Sequence, residues 1–390
     1  MKLIWIHLAV VITLASLAFG QADSLNMTLV DEWLYYTDEE EYGATIDLID
    51  DYVLVATRKH VFIFEFSSYG DLELLDSLIL PDPGWPPVLP DLGNIAHSDS
   101  IIYFHKANFV EDETVIVIYA MNNPGVLDSI TSFTLDHGTG NIQISDTLLY
   151  LYSCTHSNFY IFNISNPTSP SLVVQGDFGS YISYYAFWGE YPFMYHGGKR
   201  VGGSEPEYWD RGYFHILDVS DPDSQFISYS AFSEYGSFYH QSSFHNMTKK
   251  DSHLYIGGIN RYFEVYDVAE DGSAAPFVSS WGDSTSYSYP REMFIDGNLL
   301  YTSGSAHVRV FDISDPLDIE NVAYYINYDY VPGYPAPVYF DLCVKDSFVL
   351  VVGRLSLDGI ISVEVFKSPF FSMSNYEEVS LPKYYDLAAY

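Results

Sequence analysis

Residues Val308-Arg-Val-Phe-Asp-Ile-Ser-Asp-Pro316 carry three signals in one short run. Val308, Val310 and Phe311 read as a strand. Asp312 is a side chain that folds back onto the following backbone and starts a turn. Pro316 removes a backbone donor at the point where pairing has to stop. His215-Ile-Leu-Asp-Val-Ser-Asp-Pro222 repeats this reading, and Phe159-Tyr-Ile-Phe-Asn-Ile-Ser-Asn-Pro167 repeats it with Asn for Asp.

Upstream of each such run lies a second strand. Short apolar strands begin at Val53, Ile101, Leu148, Tyr191, His253, Leu299 and Phe348, spaced by 48, 47, 43, 62, 46 and 49 residues. Two places before each stands a turn-tolerant residue: Asp51, Asp99, Asp146, Gly189, Asp251, Gly297 and Asp346. This predicts a hairpin between strands a and b in each unit. Strand c follows as Val61–Phe64, Val115–Ile118, Phe159–Phe162, Tyr213–Ile216, Phe263–Tyr266, Val308–Phe311 and Ile361–Val365. Several of these runs are apolar throughout, as strands buried on both faces are. Strand d is read at Leu72–Leu80, Ser171–Val174, Phe226–Ser230, Phe277–Trp281 and Asn321–Tyr325. Four strands at a period of roughly 45 residues form a propeller blade. The expected fold is all-β, a seven-bladed β-propeller. The seventh unit lacks a fourth strand, and Met27–Trp33 matches Leu72–Leu78 in residue type. The N-terminal strand is therefore expected to complete the last blade and close the ring.

Composition agrees. Of 390 residues, 48% are hydrophobic and 17% aromatic, ample for a β-rich core. Lys and Arg number 16 against 52 Asp and Glu, a formal charge of −36. Such a surface repels phosphate backbones and excludes nucleic acid as a partner. Cys154 and Cys343 fall in different units with no zinc spacing, so neither a disulfide nor a metal site is expected.

The first residues are a targeting segment. Lys2 is followed by an apolar stretch to Phe19, and Ala18-Phe19-Gly20 reads as a cleavage site. Residues 1–20 are thus read as a signal peptide, 21–371 as the propeller and 372–390 as a tail or linker. No membrane insertion is expected after cleavage.

The two Asp-Ile/Val-Ser-Asp-Pro runs resemble the repeats of LVIVD-repeat proteins, exported bacterial surface proteins. The resemblance covers residues 44 to about 367 and is fullest in units three, four and six. It implies a propeller and a secreted or cell-surface bacterial location, and no activity or catalytic set. Leu381–Tyr390 is similar to the linker that precedes the sorting domain of type IX secretion cargo.

Function is sought on the face that carries the b–c loops and d–a connections, because the a–b turns are short and uniform. The longest b–c loop, Gly197–Gly212 of blade four, contains Lys199, Arg200, Tyr208, Trp209 and Arg211. His196 precedes it, and Tyr239, His240 and His245 lie in or just after the next connection. Arg recognises carboxylate or sulfate, and flat rings cover sugar faces, so these residues read as an anionic-polysaccharide surface. The competing reading pairs the cations with Glu205, Glu207 and Asp210. Asp341, near the inner strand of blade seven, is a candidate channel acid or a hydrogen-bonded core residue. Asp267–Gly272 resembles a calcium loop only in part and reads as a c–d turn. No nucleophile elbow, phosphate loop or cofactor motif is present, so no cofactor is expected and the catalytic residues are unassigned. The expectation is a non-catalytic binding or adhesion module for an extracellular glycan or a surface protein. The alternatives are an extracellular polysaccharide hydrolase or lyase, and a protein–protein interaction platform.

Overall fold

The computed structural model describes residues 22–36, 44–57, 60–79, 94–108, 113–123, 125–137, 141–152, 158–177, 182–190, 193–200, 212–220, 226–232, 244–258, 262–282, 290–304, 307–327, 338–354 and 360–368. These residues form strands and turns and no helix. The first two strands are β1 (Ala22–Leu25) and β2 (Thr28–Tyr36). Blade one is β3 (Ala44–Ile49), β4 (Tyr52–Thr57), β5 (His60–Phe66) and β6 (Leu72–Ile79). Blade two is β7 (Asn94–Ser98), β8 (Ile101–Asn108), β9 (Glu113–Asn123) and β10 (Val126–Leu135). Blade three is β11 (Asn141–Ser145), β12 (Leu148–Tyr152), β13 (Asn158–Asn163) and β14 (Ser171–Asp177). Blade four is β15 (Ile182–Glu190), β16 (Phe193–Arg200), β17 (Gly212–Asp218) and β18 (Phe226–Phe232). Blade five is β19 (Phe244–Lys250), β20 (His253–Gly258), β21 (Phe263–Asp267) and β22 (Phe277–Trp281). Blade six is β23 (Pro290–Asp296), β24 (Leu299–Gly304), β25 (His307–Asp312) and β26 (Glu320–Asn327). Blade seven is β27 (Val338–Lys345), β28 (Phe348–Arg354) and β29 (Ile360–Lys367), with β2 as its outermost strand. Thr28 stands opposite Lys367 and Tyr36 opposite Ile360. The innermost strands touch in a cycle from β3 through β7, β11, β15, β19, β23 and β27 back to β3. The chain is a seven-bladed β-propeller.

The turns follow from the residues that make them. Asp99, Asp146, Asp251, Gly297 and Asp346 have φ between 50° and 57°, in the left-handed region that Asp and Gly tolerate. Two expectations need correction. In blade one the left-handed residue is Asp50 (φ 54°), one place before Asp51. In blade four Gly189 is not a turn residue but part of β15, paired with Met194. Glycine is needed there because a Cβ would lie 2.5 Å from the Tyr150 ring of blade three. At the c–d turns, Asp218, Asp312 and Asn163 each accept the N–H of the residue two places on, at 2.9 Å. Asp267–Gly272 runs from the last residue of β21 into the c–d turn before β22, with Gly272 at φ 66°.

Each pair of neighbouring blades shares a hydrophobic cluster. Between blades seven and one, Val53, Val55, Phe62 and Phe64 meet Leu350, Val352, Val363 and Val365. Between blades four and five, Tyr195, Phe214 and Ile216 meet Leu254, Ile256 and Tyr266. Strands b and c are buried on both sides for this reason, each large side chain contributing roughly 1.5–3 kcal/mol. Cys343 is a buried thiol in the cluster between blades seven and one; Cys154 lies outside the described residues.

The N-terminal region adds a strand that its sequence did not announce. β1 pairs with β26 as a fifth strand of blade six, Ala22 opposite Asn327 and Leu25 opposite Tyr324. The chain then crosses to blade seven. Asn26 adopts φ 55° and donates from Nδ2 to the Val322 carbonyl at 3.0 Å. Met27 is buried in the cluster between blades six and seven, with Tyr301, Tyr325 and Phe366.

Candidate functional site

Strand direction fixes the two ends of the propeller. Each inner strand begins at the end that carries the d–a connections and the b–c loops, and it finishes at a short a–b turn. The a–b end is tied together by lysines. Lys249 Nζ donates to Glu190 Oε2 at 2.6 Å and Lys345 Nζ to Asp51 Oδ1 at 2.5 Å, while Lys250 Nζ reaches Asn298 Oδ1. Each of these contacts links two neighbouring blades.

The loop-bearing end has a different local structure. The inner strands of blades one to three, β3, β7 and β11, pair with their neighbours residue for residue. Those of blades four to seven each carry a register shift near their start. The shifts fall between Ser183 and Tyr185, Phe244 and Asn246, Pro290 and Glu292, and Tyr339 and Asp341. A bulge inserts one residue and re-aims the side chains beside it. The inserted residues are Tyr184, His245, Arg291 and Phe340, and the Arg291 guanidinium lies 5.9 Å from the Phe340 ring centroid of the next blade.

Three residues that follow the bulges build a polar belt. Asn246 Nδ2 donates to Glu292 Oε2 at 2.8 Å and to the Arg291 carbonyl at 3.2 Å, joining blades five and six. Asp341 Oδ2 accepts from Thr45 Oγ1 at 2.5 Å and from the Ile46 N–H at 2.9 Å, joining blades seven and one. Its Oδ1 accepts from the Leu342 N–H at 2.8 Å. Asp47 continues the belt into blade two, 2.7 Å from His97 Nδ1. Between blades six and seven the pattern breaks. Among the described residues the remaining oxygen of Glu292 accepts only from its neighbour, the Met293 N–H, at 3.2 Å, and no donor of blade seven reaches it. Desolvation holds the Glu292 carboxyl well above its ordinary range, and the charge of Asp341 adds to this. Desolvation raises Asp341 as well, against the three donors that pull it down. Burial lowers the His97 pKa, but its hydrogen bond to Asp47 and that residue's charge outweigh burial and leave it raised. Among the described residues no three His, Cys, Asp or Glu side chains converge as metal ligands do.

Of the residues singled out from the sequence, His196, Lys199, Arg200 and His245 have a described backbone. Lys199 and Arg200 belong to the loop-proximal half of β16, His196 is the fourth of its eight residues, and His245 is the inserted residue of the blade-five bulge. Their side chains lie outside the described residues, as do Tyr208, Trp209, Arg211, Tyr239 and His240 entirely. Asp341 takes the hydrogen-bonded alternative of its two readings. Asn246 and Glu292 were not found from sequence. Phe-His-Asn and Pro-Arg-Glu carry no signature of a bulge, and only alignment of the inner strands in register brings the two together.

No family model matches the chain, and no curated protein matches it. Solved structures do. A computationally designed protein, Ika8, superposes with a TM-score of 0.52 at 12% identity, covering 85% of this chain and 98% of that one. Hsv2 of Kluyvelomyces marxianus has a TM-score of 0.47 at 11% identity, covering 78% of this chain and 85% of that one. At 12% identity the likeness to the designed protein is one of fold alone.

Proposed function

We propose that the protein is an exported propeller that binds an extracellular glycan at its loop-bearing end without transforming it. The observation that carries this reading is the run of four bulged inner strands in blades four to seven. They aim Asn246, Glu292 and Asp341 toward neighbouring blades at the end that also bears the long connections. The Glu292 carboxyl, held above its ordinary range, offers a donor and an acceptor to a sugar hydroxyl, while Asn246 and Asp341 fix the neighbouring blades around it. The apolar leader at residues 1–20 and the resemblance to LVIVD repeats support export. Function on a propeller has to be read from such a site, since the fold hosts many activities.

A hydrolase is the second reading. The raised pKa values of Glu292 and Asp341 favour it, because an undissociated carboxyl beside a second acid is the equipment of glycoside hydrolysis. Against it, both oxygens of Asp341 are occupied by donors of the scaffold.

The deciding experiment incubates the purified chain with acidic and neutral polysaccharides and records both retention and glycan mass. Retention at unchanged mass, weakened in Asn246→Ala and Glu292→Ala, supports the binding module. Shortened products that vanish in Glu292→Gln overturn it in favour of the hydrolase.

A further inference from the structure

The boundary between blades five and six holds an arginine of unusual standing. Arg309 is the third residue of β25, near the loop-bearing end, and is half-buried. Its guanidinium carbon lies 5.3 Å from the Tyr262 ring centroid and 5.2 Å from that of Trp281. Its Nε is buried and meets no acceptor. The described ion pairs join Lys249 to Glu190, Lys345 to Asp51 and His97 to Asp47, and leave Arg309 out. In a chain with 52 acids and a formal charge of −36, a guanidinium that pairs with no carboxylate among the described residues is the exception to expect least.

The two rings beside Arg309 are tied to their neighbours. Tyr262 is buried, and its hydroxyl is held 2.6 Å from Thr302 Oγ1 and 2.8 Å from His307 Nε2. The Trp281 ring is pinned edge-on by Phe311 at 4.7 Å and by Tyr262 at 5.5 Å. Trp281 itself remains half-buried, so part of it faces outward. A ring wall beside a guanidinium suits a sugar that carries an acid group: the ring covers the sugar face and the fork meets the two carboxylate oxygens.

We propose that Arg309, held between Tyr262 and Trp281, is a subsite for the carboxylate of a uronic-acid residue. This rests on the glycan reading and names the chemical class of the glycan. Lys replaces Arg only in part here, because an ammonium keeps the charge but neither stacks flat on the rings nor forms the bidentate pair.

The test uses the full chain with 15N-labelled arginine. The Nε–Hε resonance of Arg309 is assigned by its loss in Arg309→Gln and is then titrated with glucuronate, its methyl ester and glucose. A saturable shift with glucuronate alone is expected. Calorimetry should show glucuronate binding weakened about tenfold or more in Arg309→Gln and in Arg309→Met, which keeps the packing, and by less in Arg309→Lys. A resonance that glucuronate does not move, in a chain that still retains acidic polysaccharide, overturns the subsite and leaves the glycan reading intact. A shift with glucuronate in a chain that retains no polysaccharide supports the subsite and removes the glycan reading.

Discussion

Blades one to three and blades four to seven are built from the same four-strand unit, yet their innermost strands differ. In the first group β3, β7 and β11 hold register throughout; in the second, β15, β19, β23 and β27 each insert a residue at the loop-bearing end. Buried acids divide in the same way. Blades one to three bury Thr45, Thr57, His105 and Thr114 among their polar side chains, whereas Glu264 and Glu364 are buried in blades five and seven. A repeat that only had to pack would gain nothing from bulges and buried carboxyls, both of which weaken a sheet. Among the described residues both are confined to one arc of the ring, the arc on which the proposed binding end rests.

The largest expected effect tests the buried acids. Glu364 accepts from Tyr339 Oη at 2.9 Å and stands directly opposite Glu32 of β2. Desolvation raises its pKa to about 7, and Glu32 adds to the shift against the bonds from Tyr339 and Ser362. An acid whose folded pKa exceeds its unfolded value binds its proton more tightly when folded. The stability it contributes is present below the ordinary carboxylate range and is lost as pH rises toward 7, by about 3 kcal/mol in full. Denaturation between pH 4.5 and 8 should therefore show falling stability, and Glu364→Gln should flatten that slope. An unchanged slope in the variant would remove buried acids from the comparison.

The bulge clasp comes next. Asp341→Ala leaves the donors of Thr45, Ile46 and Leu342 without their acceptor and should cost about 2 kcal/mol in urea unfolding. Glu292→Gln has no blade-seven donor to lose among the described residues and, because its carboxyl is held above its ordinary range, should cost no stability at pH 6. Equal losses in both variants would show that the junction between blades six and seven is no different from its neighbour.

How much of this was legible depends on what repeats. The period, the left-handed Asp or Gly at the a–b turns and the Asx caps at Asn163, Asp218 and Asp312 recur in sequence because each blade needs the same backbone geometry. β10 escaped notice because it is an outer strand, with Asp128, Ser129, Ser132 and Thr134 exposed among its apolar residues. β1 escaped because four residues of edge pairing need no particular side chains. The bulges were hidden for a stronger reason: an inserted residue shifts register without changing composition. Blade four shows the converse, since the turn-like Gly189 is required by the Tyr150 ring and not by a turn.

Two smaller effects sharpen the contrast between packing and turn glycines. Gly189→Ala should destabilise by roughly 1–3 kcal/mol, because its Cβ meets an aromatic ring held in the core between blades three and four. A loss under about 0.5 kcal/mol would mean that the Tyr150 ring gives way. At the a–b turn of blade seven, where φ is 51°, Asp346→Gly should be nearly neutral and Asp346→Ala should cost about 1 kcal/mol. Thermal melts of the pair at one pH suffice to check it.

The most direct test of the account is hydrogen exchange of the full chain with and without a uronic-acid polysaccharide. Protection should appear in peptides covering residues 244–250, 277–282, 290–295 and 307–310, at the loop-bearing ends of blades five and six, and be absent from the a–b turns at Asp99, Asp146 and Asp346. Protection centred on blades one to three, or on those turns, would contradict the assignment of the bulged arc as the binding end.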